Sequence, residues 1–61
     1  GEENDKKLRQ YLFHNEAFAR FVPQTITQHF YDRFKNEDPV YYAHAVSMLL
    51  TLAVFAKRNA L

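Results

Sequence analysis

The sequence predicts an all-α fold, a small three-helix unit that assembles into a homo-oligomeric helical bundle, and three observations lead there. Two prolines divide the 61 residues into segments with helical apolar spacing. The chain has no cysteine with which to staple so small a core. Two of the three segments carry more apolar surface than a compact three-helix monomer can bury.

The sharpest boundary is Asn36-Glu37-Asp38-Pro39. Asp38 is a good N-cap, and Pro39 fits the first helical position, where its missing N–H would have no partner anyway. The third helix is therefore expected over about residues 39–58. Glu37 and Asp38 lie at its positive end and Lys57 and Arg58 at its negative end, as the macrodipole favours. The second boundary is Phe21-Val22-Pro23, because a residue before proline avoids the α region. This ends a first helix of about residues 5–21 and starts a second over about 24–35. Thr25 and Gln28 have the spacing of a capping box at its start.

The second helix is amphipathic, with Ile26, Thr27, Phe30, Tyr31 and Phe34 within one arc. The first helix carries two stripes: Leu8, Tyr11, Leu12, Phe18, Ala19 and Val22 on one side, and Phe13, Ala17 and Phe21 nearly opposite. The alternative to a single first helix is a break near His14-Asn15. In that case Asn15 caps a short second segment and turns Phe18 and Phe21 inward.

The third helix is the most apolar. Tyr42, Ala45, Leu49, Leu52 and Ala56 form a heptad seam, expected to pack within the chain and widened by Tyr41, Met48 and Phe55. A second seam, Ala43, Val46, Leu50 and Ala53, lies about 100° around the helix. Two partner helices from the same chain can cover only part of this apolar surface, and the remainder implies a further partner. Self-association is accordingly expected through Ala43, Val46, Leu49, Leu50 and Ala53, joined by Phe13 and Phe21 of the first helix. Phe30, Phe34 and Phe55 are expected in the core.

Catalytic signatures are sparse. The one glycine is Gly1, so no glycine-rich phosphate loop or nucleophile elbow exists, and no cysteine can act as nucleophile. His44 and Ser47 share a polar strip but have no carboxylate at helical spacing to orient the imidazole. Ser47 and Thr51 are expected to bond back to their own helix. His14, His29 and His44 fall one on each helix and are expected as solvated side chains, with His29 paired to Asp32. No metal and no cofactor are expected, and no enzymatic activity.

The net charge of +1 gives little long-range attraction to phosphate, and the third helix is too apolar to read a major groove. Lys57 and Arg58 remain the candidate phosphate contacts of an oligomer. No membrane partner is expected, because the most apolar stretch, residues 45–56, falls short of the roughly 20 residues that span a bilayer. Gly1 reads as a cloning remnant, so residues 1–61 are taken as one helical association module excised from a longer protein, without a secretory signal. The lack of cysteine fits an intracellular protein, with nucleus and cytoplasm undistinguished. No residue pattern identifies a known family. The resemblance to short helical self-association modules of large scaffold or chromatin-associated proteins is one of size and character.

The expected function is therefore non-enzymatic: a dimer or tetramer module that brings together copies of a larger protein. Its alternatives are an adaptor with an apolar groove for a partner peptide, and weak binding to a nucleic-acid backbone.

Overall fold

The computed structural model describes residues 2–59; Gly1, and with it the reading of a cloning remnant, lies outside them. The chain is all-helical, in the order α1 Glu2–Phe13, α2 Glu16–Ala19, α3 Gln24–Asn36 and α4 Pro39–Arg58. Its longest dimension, 32 Å, is close to the length of α4, whose 20 residues rise about 1.5 Å each.

The expected single helix over residues 5–21 is two helices. Asn15 takes extended backbone angles, and its side chain accepts from the Phe18 N–H at 3.2 Å, so it caps α2 and ends any continuation of α1. The break turns only one of its two phenylalanines inward. Phe18 is 2% exposed, whereas Phe21 stays 62% exposed beyond the end of α2.

The capping box at Thr25 and Gln28 does not form. Pro23 is the N-cap of α3, and its carbonyl receives the first helical bonds, from Ile26 and Thr27. The helix thus starts two residues too early for Thr25 to cap it. Gln24 instead donates its side-chain amide to the Phe13 carbonyl at 3.1 Å, tying α3 to the end of α1. Asp38 caps α4 by accepting from the Tyr41 N–H at 2.9 Å, with Pro39 in the first turn. The turn before it is braced by Arg33, which lies 3.4 Å from Glu37 and 3.5 Å from the Tyr42 hydroxyl.

Leu12, Phe18, Tyr31, Val46, Ala53 and Ala56 make the buried core, with Leu8, Tyr11, Phe13, Ala17, Val22, Phe34 and Leu49 packed around it. Three of its six members come from α4. Ala53, fully buried, is small enough to bring α2 against the α4 backbone, and there the Asn15 amide donates to the Ala53 carbonyl at 2.9 Å. One side chain therefore both caps α2 and fixes it to α4.

A second polar tie joins α1 to α3. The Tyr31 hydroxyl donates to the Asp5 carboxylate at 2.9 Å, and the Lys35 ammonium sits 3.1 Å from the same group. Arg9 adds a contact of 3.3 Å from the next turn of α1. The hydrogen bonds from Lys35 and Tyr31 hold the Asp5 carboxyl below its ordinary value. Burial, and then the Asp5 carboxylate, raise the Tyr31 phenol above its own.

Among the described residues, Thr27 carries the buried polar side-chain atom without a partner: it is wholly buried and its hydroxyl oxygen has no hydrogen bond. Replacing that hydroxyl by a methyl removes an unmet polar group without altering the shape of the site. Thr27→Val should therefore raise stability by about 1 kcal/mol in urea unfolding. Asn15→Ala should lower it by about 2 kcal/mol, since it deletes a helix cap and a buried hydrogen bond together. Asp5 gives the pH dependence. Because its carboxyl is lowered on folding, its contribution is complete above the ordinary value of 3.8 and is lost as pH falls through the lowered one. Asp5→Asn should remove that part of the acid destabilisation, read as a flatter midpoint-against-pH curve in the acid range.

Candidate self-association surface

Among the described residues seven large apolar side chains are exposed, and five of them, Val40, Tyr41, Met48, Leu52 and Phe55, belong to α4. Residues 39–56 contain no Asp, Glu, Lys or Arg. Charge is usually kept out of the centre of a protein contact, and this stretch has the composition of one.

The placement of the α4 residues differs from the expectation. Val46 and Ala53 of the second seam are in the chain's own core, and Leu50 is half-buried. Leu52 and Phe55, expected to face inward, are 51% and 57% exposed. The helix is turned about its axis by roughly 40° from the seam assigned by spacing, at about 100° per residue. The cause is a tertiary contact: Asn15 and Phe18 pack where Ala53 and Ala56 leave room, so those alanines face inward and Leu52 turns to the rim.

Of the residues expected to self-associate, Ala43 is exposed and Leu49 is half-buried beside the core. Phe13 is half-buried, with its ring edge-on to Tyr31 at 5.4 Å. Phe21 remains on the surface. The outward stripe is instead Tyr41, Met48, Leu52 and Phe55, with the half-buried Ala45 among them, spaced 4, 3, 4 and 3. That is itself a heptad seam. Its carboxyl end opens onto an apolar cavity of about 210 Å³ lined by Phe18, Phe21, Val22, Leu52, Phe55 and Ala56. Thus Phe21, from outside α4, extends the same surface. Ile26 lies on α3 and is 46% exposed.

The polar strip of α4 is structural where it can be followed. The Thr51 hydroxyl donates to the Ser47 carbonyl at 2.9 Å, and His44 is exposed. The expected pairing of His29 with Asp32 is replaced by contacts one residue longer, which lie more nearly above one another on a helix. Gln28 donates to Asp32 at 2.7 Å, and the Arg33 Nε lies 3.5 Å from His29 Nδ1. Among the described residues, no group of three or more His, Asp or Glu side chains gathers as a metal site.

Lys57 and Arg58 separate. The Lys57 ammonium lies over the Tyr11 ring, 5.2 Å from its centroid, and joins Lys6, Arg9 and His14 along an open groove that Arg58 does not line. By length and composition α4 is also apolar enough to cross a membrane. The uncharged stretch begins at Pro39 and so is longer than residues 45–56 alone.

Compared with family models, curated proteins and solved structures, the chain matches none.

Proposed function

We propose that this chain is a non-enzymatic self-association module, joining copies of a longer protein through the outer face of α4. The observation that carries this reading is the stripe Tyr41, Ala45, Met48, Leu52 and Phe55. It keeps heptad spacing over nearly four turns, yet its four large side chains are each more than half exposed. A small unit with an uncharged helical face gains most by covering it with another helix. A second copy supplies an identical face at no further requirement of sequence.

The test is the solution mass, by sedimentation or light scattering from micromolar to near-millimolar concentration. The expected result is a multiple of the 7.3 kDa chain. Met48→Glu should weaken association by about tenfold or more, because it places a charge where an apolar side chain was to be covered. Ser47→Glu, on the exposed polar strip, should leave it unchanged. A folded monomer at every concentration would overturn the reading in favour of an adaptor surface for another protein. Co-sedimentation with phosphatidylcholine vesicles, lost in Met48→Glu, would assign the face to a bilayer instead.

A further inference from the structure

Resting on that self-association reading, we infer that two copies pair α4 against α4 in antiparallel fashion, about a two-fold axis passing near Met48. Charge and shape each favour this arrangement independently.

The charges of α4 stand at its ends. Glu37 and Asp38 precede it, Lys57 and Arg58 close it, and no Asp, Glu, Lys or Arg lies between. Among the described residues neither Asp38 nor Arg58 takes part in an ion pair. A parallel pair brings Asp38 to the partner subunit's Asp38 and Arg58 to its own counterpart, with the two helix dipoles aligned. An antiparallel pair sets the acidic end of each helix beside the basic end of the other and opposes the dipoles. The orientation is thus selected at both ends by the same charges.

The sizes along the stripe agree. Met48 is the middle of its five positions, with an aromatic side chain at each end and Ala45 and Leu52 between. In a parallel pair, Ala45 meets Ala45 at one level and Leu52 meets Leu52 at another, small against small and large against large. Turned about Met48, each small Ala45 comes toward the partner subunit's Leu52, and each Tyr41 toward the partner subunit's Phe55 and the apolar cavity beside it. Small thus faces large between Ala45 and Leu52, while Met48 meets the partner subunit's Met48 on the axis and the aromatic ends meet each other.

The absence of cysteine makes the orientation directly testable in the intact chain. Tyr41, Met48 and Phe55 are 73%, 55% and 57% exposed, so single cysteines there leave the core untouched. The variants Tyr41→Cys, Met48→Cys and Phe55→Cys are equilibrated in a glutathione redox buffer and their disulfide-linked dimers quantified, with helicity checked by circular dichroism. Met48→Cys should crosslink to itself, and Tyr41→Cys should crosslink to Phe55→Cys when the two are mixed. Tyr41→Cys alone should not, because the two sites then lie roughly 20 Å apart along the helices, far beyond disulfide reach. Efficient crosslinking of Tyr41→Cys to itself, with none in the mixture, overturns the antiparallel arrangement while leaving self-association standing. No crosslink in any variant, together with a monomeric mass for the parent chain, overturns both.

Discussion

The side chain of Asn15 sets the geometry on which the rest of the molecule depends. Its carbonyl oxygen caps α2 and its amide reaches the Ala53 carbonyl, 38 residues away in sequence. At 6% exposure these bonds are made out of water, where an unmet amide would be costly. The two bonds together fix where α1 stops, where Phe18 enters the core and which side of α4 faces inward. A helix as evenly apolar as α4 has little of its own to fix its rotation. A hydrogen bond to one carbonyl supplies what hydrophobic contrast does not.

This explains which parts of the fold were legible. Local signals act within a few residues, and the Asp38-Pro39 start of α4 and its end near Arg58 are read from such signals. The extents of α3 follow almost as directly from Pro23 and the turn at Glu37. The rotation of α4 is another matter. Val46 and Leu52 are equally good core residues by composition, and both lie on heptad seams; only the approach of Asn15 to Ala53 separates them. That contact is long-range, and sequence spacing carries no trace of it beyond the alanines that make room. The outward stripe is therefore visible in the sequence as a pattern, with Tyr41, Met48 and Phe55 beside a seam, but its direction is not. The same holds for Thr25 and Gln28, whose spacing suits a cap that Pro23 had already replaced.

Polar contacts divide the labour with the core. Asp5, Tyr31 and Lys35 hold α1 to α3 on one side, Gln24 ties α3 to the end of α1, and Arg33 braces the last turn before α4. Their polar atoms lie at the margin of the apolar cluster, although the Tyr31 ring belongs to it. Thr27 is the exception, a hydroxyl enclosed by the core with nothing to bond. With polar ties spread over α1 to α3, the outer face of α4 is left apolar and uncharged, and available.

The position of α4 in the chain has a consequence for the order of events during synthesis. Half of the core, Val46, Ala53 and Ala56, belongs to the last of the four helices, and the carbonyl that anchors Asn15 does too. During synthesis from the amino end, α1, α2 and α3 emerge before the half of the core that α4 supplies. The core and the outer stripe then arrive on the same twenty-residue helix. A nascent chain thus acquires its fold and its association surface within a few residues of each other, and a chain cut short within α4 forfeits both.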